Sequence, residues 1–548
     1  MTRSRSLKLV LILILFLTVS SRTAAQKTAS TGMIVSGHPM ASEFGLNILK
    51  SGGNAVDAAV GAALVIGVAE PFGSGLGGGG AMLIYLNDLD SLTLINYYAC
   101  APQNLPEDIG SYGAETILVP GNVAGLHRAL TLYGTISWKN MIDRVIEQVK
   151  DGIVVDEYLY QVILESYEKI YSHPQTRSIY LQNDFPPPVG TIIKNERILK
   201  TLSLLSTGGP EIFYEGVLSD SIEAAVSALG GTLGKSDLLK YQVRQVKPLT
   251  GTYCAHQIIS APPPMSGASV IEILNILKFR DLSLLGNYTT NAHTFHLMIE
   301  ATKFGYIDRL HFLSDPNFHP VDVETLLSEN FARKRFDEIE KHWPFHKKSI
   351  WLKSTPPQHS LEDKEGSTTH ISVVDSAGNA VSLTQTLNRF WGSGISVCGF
   401  LLNNGMTSFY RGDSLNDMAP GKQPRTTIAP TLVFKDNSLR FVIGSPGGGR
   451  IISTMVQVLC QLIDFNRNAH EANSAPRFAL QRNGEKLPVE GRFSPAIIDS
   501  LKKIGHPVQV RDDMDLYFGG VQLIAIDTES KILTGSSDPR RSGAVMGY

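Results

Sequence analysis

The 548-residue chain has little of what marks several classes of protein. Its four cysteines show no Cys-x-x-Cys spacing, so zinc-binding and thiol-redox motifs are not expected. Its 49 lysines and arginines are matched by 51 aspartates and glutamates, and the net charge of −2 leaves no basic excess for a nucleic-acid partner. The sequence has no internal repeat and no polar low-complexity tract, and its 43% hydrophobic content argues against disorder.

Long apolar runs are equally scarce, and the one present lies near the N-terminus. Leu9–Val19 is about half as long as the ~20 residues that a spanning helix needs. It follows a basic segment, and Thr23–Ala25 supplies small residues for cleavage before Gln26. We therefore predict that residues 1–25 are a signal peptide, that the protein is exported to the periplasm or the extracellular space, and that it has no stable membrane span. An uncleaved anchor is the alternative. Export would permit disulfides, although buried free thiols fit the sequence equally well.

The segment Gly366–Asp375 (Gly-Ser-Thr-Thr-His-Ile-Ser-Val-Val-Asp) reads as the start of a β-hairpin. Apolar and polar residues alternate in its second half, a turn follows at Asp375–Asn379, and Ala380–Thr386 predicts the partner strand. A threonine hydroxyl is a weak nucleophile unless a base adjoins it, and an N-terminal threonine supplies its own α-amine as that base. Thr368 gains such an amine only if the peptide bond that precedes it is cut; otherwise it is an ordinary strand threonine.

This decapeptide resembles the processing site of the γ-glutamyltransferase (glutathione hydrolase) family of N-terminal-nucleophile hydrolases. Further blocks in the family's order extend the resemblance over almost all of the chain after the leader. They are Gly32–Pro39, Gly52–Ala59, Glu70–Gly80, Pro262–Pro264 with Ser266-Gly267, Asp308-Arg309, Leu401–Asn404 and Gly444–Gly448.

The resemblance implies an α/β protein with the four-layer αββα N-terminal-nucleophile hydrolase fold. It implies one heterodimeric unit from a self-cleaved precursor, with a large subunit of residues 26–367 and a small, catalytic subunit of residues 368–548. Layering of this kind suits sheets that are covered by helices on one face. The helix and strand patterns alone predict only a mixed α/β protein.

A glycine-rich loop, Gly444–Arg450, precedes an apolar helix. Glycines let several backbone N–H groups approach one point at a helix N-terminus, which is what an oxyanion hole requires. No Gly-Lys-Ser/Thr follows, so a phosphate-binding loop is excluded. The resemblance implies that Gly447 and Gly448 form the oxyanion hole.

The resemblance also implies roles for five other residues. Thr368 would be the nucleophile, Thr386 would hydrogen-bond it, and Asn388, Thr426 and Thr427 would hold the acyl group. Neither a metal nor an organic cofactor is implied. His293, His296 and Glu300 share one helix face, but such a cluster without further ligands is more typical of packing than of a metal site.

The sequence departs from the family at the residues that bind the charges of glutamate. Tyr98 stands where the family has an arginine for the α-carboxylate, and Gly405 and Ser408 stand where it has polar and acidic residues for the α-ammonium. A phenol offers one neutral donor in place of a charged fork. We expect Arg425 or Arg411 to supply the missing positive charge.

The sequence therefore favours a self-processing glutathione hydrolase or γ-glutamyltransferase that cleaves γ-glutamyl amides through a threonine acyl-enzyme. Its partners would be a small-molecule amide, with transfer to water or to an amino acid or peptide, and the two fragments of one precursor. The alternative is a related amidase that acts on a dicarboxylic monoamide of the glutaryl type. A non-catalytic binding protein on the same scaffold is disfavoured, because the nucleophile and glycine segments are intact.

Overall fold

The computed structural model describes residues 26–341, 367–410, 412, 414–480 and 486–548. Most of the strands are short, and in chain order they are β1 (Lys27–Ala29), β2 (Met33–Ser36), β3 (Gly79–Leu86), β4 (Ser91–Tyr97), β5 (Ile153–Val154), β6 (Ile192–Ile193), β7 (Arg244–Val246), β8 (Leu249–Tyr253), β9 (His256–Ser260), β10 (Ser367–Val374), β11 (Ala380–Asn388), β12 (Ser396–Val397), β13 (Phe400–Leu401), β14 (Thr431–Lys435), β15 (Ser438–Gly444), β16 (Leu487–Glu490), β17 (Val508–Arg511), β18 (Gln522–Ile526), β19 (Leu533–Ser537) and β20 (Ala544–Gly547).

Helices alternate with these strands through most of the chain. In chain order they are α1 (Pro39–Lys50), α2 (Ala55–Ala69), α3 (Asn122–Tyr133), α4 (Trp138–Val149), α5 (Glu157–Glu165), α6 (Tyr167–Tyr171), α7 (Pro174–Tyr180), α8 (Glu196–Gly208), α9 (Glu211–Tyr214), α10 (Val217–Ala228), α11 (Lys235–Leu239), α12 (Gly267–Leu277), α13 (Leu282–Leu285), α14 (Ala292–Phe312), α15 (Val323–Leu327), α16 (Glu329–Lys341), α17 (Ile451–Ile463), α18 (Ala469–Ser474) and α19 (Pro495–Ile504).

Two seven-stranded antiparallel sheets form the centre of the molecule. One has the order β1-β19-β18-β15-β14-β9-β8, and the other has the order β20-β2-β10-β11-β3-β4-β7. The sheets face each other where β10 and β11 lie over β15 and β18. Helices α1 to α4 cover the outer face of the second sheet, and α12, α14 and α17 cover the first. This αββα layering confirms the predicted fold.

The β10–β11 hairpin divides its side chains between two environments because successive strand residues point to opposite faces. Ile371, Val373, Val381 and Leu383 enter the apolar core under α2. Most of the alternate residues are polar and face the other sheet: Ser372 Oγ donates to Gln522 O (3.0 Å), and Ser382 Oγ donates to Ile443 O (3.0 Å). Thr368 lies on this second, polar face.

The predicted hairpin is present, and the strand predicted at Ala380–Thr386 continues by two residues to Asn388. Helix α14 extends to Phe312, so Asp308 and Arg309 lie within it, and both are buried. The short helix α11 begins at Lys235, and Gly234 before it donates its N–H to Asp237. Within the part of the chain that the structure describes, no helix combines the length and apolar character needed to cross a bilayer.

Candidate active site

The reactive geometry centres on an irregularity in the β10–β11 ladder. Ser367 pairs with Asn388 and Thr369 pairs with Gln385, so Thr368 alone opposes both Thr386 and Leu387. A bulge of this kind re-aims side chains and is frequent next to active sites. Here it brings the hydroxyl of Thr386 to the peptide bond between Ser367 and Thr368.

Two hydroxyl groups converge on that peptide bond. Thr368 Oγ1 and Thr386 Oγ1 both lie against the carbonyl oxygen of Ser367, and they are 3.1 Å from each other. Thr386 Oγ1 also accepts a hydrogen bond from the N–H of Asn388 (2.7 Å). Thr368 is only 3% exposed, so its hydroxyl group is held in this position by its surroundings.

The loop after α2 holds the residue on the other side of the bond. Ser367 Oγ donates to the carbonyl oxygens of Phe72 and Gly73, and Gly73 O also accepts the N–H of Leu387. These residues belong to the glycine-rich block Glu70–Gly80. In sequence this block also fits a dinucleotide fingerprint, but it follows a helix and precedes a strand, which is the reverse of the order that fingerprint needs. Its role here is to fix the backbone around Thr368.

The second glycine-rich loop lies above the hairpin at the N-terminus of α17. Gly447 and Gly448 have φ angles of +136° and +54°, in the region that favours glycine, and a Cβ atom on Gly447 would lie 3.1 Å from Gly519 Cα. A 3₁₀ turn, Gly448–Arg450, then leads into the helix, so the first N–H groups of this segment have no helical acceptor. These are the donors that an oxyanion hole needs.

Packing connects this loop to the nucleophile strand. The ring of His370, two residues after Thr368, fills the space beside Gly444, where a Cβ atom would lie 2.1 Å from it. Burial lowers the pKa of His370 to about 3, so the ring is neutral, and its Nδ1 is 2.8 Å from Thr384 Oγ1. His370 is thus a neutral spacer between the hairpin and the glycine-rich loop Gly444–Arg450.

Asn388 and Ser408, which the sequence analysis placed at the substrate separately, are hydrogen-bonded to each other. Asn388 has a left-handed backbone (φ +81°), and its Oδ1 accepts the hydroxyl of Ser408 (2.9 Å). Its Nδ2 donates to Thr407 Oγ1 (2.9 Å) and Asn404 O (3.1 Å). Gly405 begins the 3₁₀ turn that carries Ser408. The Asn388 amide is therefore oriented by the segment that replaces the family's acidic residue.

Tyr98, Thr426 and Arg309 form a second group. The hydroxyl of Tyr98 is hydrogen-bonded to the side chain of Thr426 and lies within electrostatic reach of the Arg309 guanidinium; burial nevertheless raises the pKa of Tyr98 above its ordinary value. Arg309 Nε donates to Ser266 Oγ (2.8 Å), which donates to Thr426 O (2.8 Å). The adjacent Thr427 Oγ1 donates to Gly448 O (2.8 Å), so this group adjoins the glycine-rich loop Gly444–Arg450.

Arg425 points elsewhere. Its Nη1 donates to the carbonyl oxygens of Leu310 (2.7 Å) and Arg309 (3.3 Å) at the C-terminus of α14. A guanidinium there stabilises the helix end. These contacts do not support the expectation that Arg425 binds a substrate carboxylate, and Arg411 lies outside the described residues. Arg309 is the nearby cation that the sequence analysis missed, although its Asp308-Arg309 motif was a signal.

Two further charged residues adjoin the nucleophile. Glu70 Oε2 accepts the hydroxyl of Thr369 (3.0 Å), and burial raises the pKa of Glu70 to about 7. Arg541 Nη1 lies 3.5 Å from Thr368 O and donates to Tyr158 OH (2.9 Å). Neither residue had a role in the sequence analysis, although Glu70 opens one of the blocks that carried the resemblance.

The histidine cluster on α14 lies apart from this site. His296 Nδ1 is 2.8 Å from His506 Nε2, and these atoms and a Glu300 oxygen lie within 4.8 Å of one another. Lys303 Nζ, however, pairs with Glu300 (2.5 Å), and burial lowers the pKa of both histidines. The arrangement is that of a neutral histidine pair beside an ion pair.

The four cysteines are free thiols, and only Cys254 is exposed.

The chain was compared with known proteins by sequence. Residues 41–548 match the family described as gamma-glutamyltranspeptidase. The glutathione hydrolase proenzyme of Escherichia coli strain K12 is 34% identical over 540 residues, which cover 93% of this chain and 91% of that protein. The acylase ACY 1 proenzyme of Pseudomonas sp. strain SE83 is 32% identical over 549 residues, with 96% and 95% covered.

Solved structures agree with these similarities. The cephalosporin acylase of Bacillus halodurans superposes with a TM-score of 0.86 at 27% identity, covering 96% of this chain and 97% of that one. The γ-glutamyltranspeptidase of Helicobacter pylori gives a TM-score of 0.56 at 29% identity, covering 61% of this chain and 98% of that chain. The two-sheet fold is therefore shared with N-terminal-nucleophile hydrolases.

Proposed function

The chain belongs to the γ-glutamyltranspeptidase family and is an enzyme, and we propose that it cleaves itself before Thr368 and then hydrolyses or transfers γ-glutamyl groups from amides such as glutathione. The observation that carries this proposal is the pair of hydroxyls on the Ser367 carbonyl group. A nucleophile, a polarising donor and a buried scissile bond adjoin one another there. The products would be residues 26–367 and 368–548, which stay together as one unit.

Self-cleavage follows from the same contacts. Thr368 Oγ1 attacks the carbonyl carbon of Ser367, while the Thr386 hydroxyl stabilises the negative charge that develops on the carbonyl oxygen. The Ser367–Thr368 amide becomes an ester on Oγ1 and frees the α-amine of Thr368. Water then hydrolyses that ester, which releases the Ser367 carboxylate and leaves Thr368 as an N-terminal residue.

Acyl transfer then uses the liberated amine. The α-amine of Thr368 takes the hydroxyl proton as Oγ1 attacks the substrate's amide carbon, and the N–H groups of Gly447 and Gly448 stabilise the oxyanion. The protonated amine gives its proton to the leaving nitrogen. Water, or the amino group of an amino acid or peptide, then attacks the acyl-enzyme and completes hydrolysis or transfer.

The acyl group would lie between the two polar groups of residues described above. Arg309 is the cation best suited to an acyl carboxylate, with Tyr98, Thr426 and Thr427 as hydroxyl donors. Asn388 and Ser408 would contact the other end of the group. Gly405 and Ser408 stand where the family has polar and acidic residues for the α-ammonium, and neither residue offers that ammonium a charged partner.

That last observation favours a second candidate: an acylase for dicarboxylic monoamides such as glutaryl amides, which have a carboxylate but no ammonium. The similarity to proteins named acylase ACY 1 and cephalosporin acylase supports the same alternative. The similarity to proteins named glutathione hydrolase proenzyme supports the first candidate.

The decisive experiment compares the turnover of γ-glutamyl-p-nitroanilide and glutaryl-p-nitroanilide by the purified, processed protein. We expect a higher kcat/KM for the γ-glutamyl substrate, and the reverse ratio would establish the acylase. Mass spectrometry of the same sample should show a fragment that begins at Thr368. An intact chain that turns over either substrate would refute the mechanism.

Export is proposed on the leader sequence, which lies outside the described residues, and N-terminal sequencing should find Gln26 as the first residue.

A further inference from the structure

Glu70 is a buried carboxyl group that the acyl-transfer steps above do not use. It follows the last turn of α2 and is 2% exposed. One oxygen, Oε2, accepts the hydroxyl of Thr369, while Oε1 has no hydrogen-bond partner among the described residues. Buried carboxyl oxygens are nearly always paired, so an unpaired one beside a nucleophile indicates a role in the chemistry.

The position of Glu70 survives cleavage. Its neighbours Phe72 and Gly73 hold Ser367, the residue before the broken bond, whereas Glu70 itself holds Thr369, the second residue after it. Cleavage releases the end of the large fragment but leaves the Glu70–Thr369 hydrogen bond in place. The carboxyl group therefore stays one residue away from the new N-terminus.

Arg541 places a positive charge beside Thr368. Its guanidinium adjoins Thr368 O, so it lies within one residue's length of the α-nitrogen. The other titratable groups on this side come from two segments: His38 before α1, and Asp156 with Tyr158 at the start of α5. His370, on β10 itself, faces the opposite sheet. Glu70 and Arg541 are thus the charged pair that flanks the future amine.

We propose that Glu70 and Arg541 are positioning residues that together set how readily the α-amine of Thr368 takes up a proton. The inference rests on the proposed cleavage. A carboxylate stabilises an ammonium group and a guanidinium destabilises it, so the two side chains act in opposite directions. Burial raises the pKa of Glu70 to about 7, close to the range of an α-amine, so the two groups titrate as a coupled pair.

The test measures the amine directly, without substrate. The processed protein is labelled with trace acetic anhydride at a series of pH values, and mass spectrometry of the peptide beginning at Thr368 gives the pKa of its α-amine. We expect Glu70→Gln to lower this pKa, and Arg541→Gln to raise it, each by about one unit, the order expected for a charge within ~6 Å at an effective dielectric of ~20 after partial screening. The pH profile of kcat/KM should shift in the same directions.

The control is Glu324→Gln, an exposed carboxylate on α15, which should leave the amine's pKa unchanged. Two results would overturn the inference: an unchanged pKa in both Glu70→Gln and Arg541→Gln, or shifts of the same sign, which indicate general disturbance of the site. Each variant tests the idea independently. A wild-type protein with no amine at Thr368 would instead refute the proposed function.

Discussion

Replacing Thr386 by valine should slow self-cleavage without disturbing the strand. Valine keeps the β-branched shape that suits β11, and it removes only the hydroxyl that lies on the Ser367 carbonyl oxygen. Loss of one donor to a developing oxyanion costs about 2.7–4 kcal/mol, a factor of about 10²–10³ in rate. The valine also loses the acceptor for the N–H of Asn388, which adds a smaller cost. We therefore expect at least a hundredfold slower cleavage.

The assay follows the conversion of purified precursor into two fragments on a denaturing gel. Thr384→Val is the matched control, because it is the same change on the same face of β11, two residues away, where the hydroxyl contacts His370 instead. It should cleave at close to the wild-type rate, even if its thermal midpoint falls. A Thr386→Val precursor that matures as fast as this control would refute the proposed role of the hydroxyl.

The remaining predictions concern the nucleophile, the acyl site and pH-dependent stability. Thr368→Ala should leave an uncleaved, inactive chain on a denaturing gel. Arg309→Met should lower kcat/KM for carboxylate-bearing anilides by about 10²-fold, which is the order found when a charged partner is truncated. The same variant should leave the turnover of butyryl-p-nitroanilide, which has no carboxylate, nearly unchanged. If Arg425→Ala had this selective effect instead, the carboxylate-binding role would belong to Arg425. Burial and the neighbouring Asp308 raise the pKa of Glu272 well above its ordinary value, so its folded form retains a proton that the unfolded chain loses. Stability should therefore fall as pH rises above the ordinary pKa of glutamate, and Glu272→Gln should weaken that fall in thermal midpoints measured at pH 5 and pH 8.

The hairpin and the glycine loops could be predicted from sequence because their signals are local. Alternation over His370–Val374, a turn at Asp375–Asn379 and a second strand sufficed to predict β10 and β11. The ladder irregularity at Thr368 could not be predicted, because it depends on how Ser367 and Asn388 pair. A period-two pattern does not encode an extra residue in one strand.

The charged groups around the site were harder to predict than its backbone. Glu70 and Thr369 are 299 residues apart in sequence, and only the tertiary structure brings them into contact. Arg425 was the natural choice for a carboxylate partner because it adjoins Thr426 in sequence, yet its side chain extends to the end of α14. The direction of a long side chain depends on contacts that no short motif contains.

The strand order has a consequence for the two proposed fragments. Strand β10 pairs with β2, and β11 with β3, so the catalytic hairpin is inserted between strands of the large fragment. Strand β14 likewise pairs with β9, β1 with β19, and β2 with β20. Separation of the fragments would require these five strand pairs of the described residues to dissociate together. Breaking one covalent bond therefore alters the connectivity of the polypeptide but leaves a single cooperative body, whose halves are expected to melt together and to reassemble poorly if produced apart.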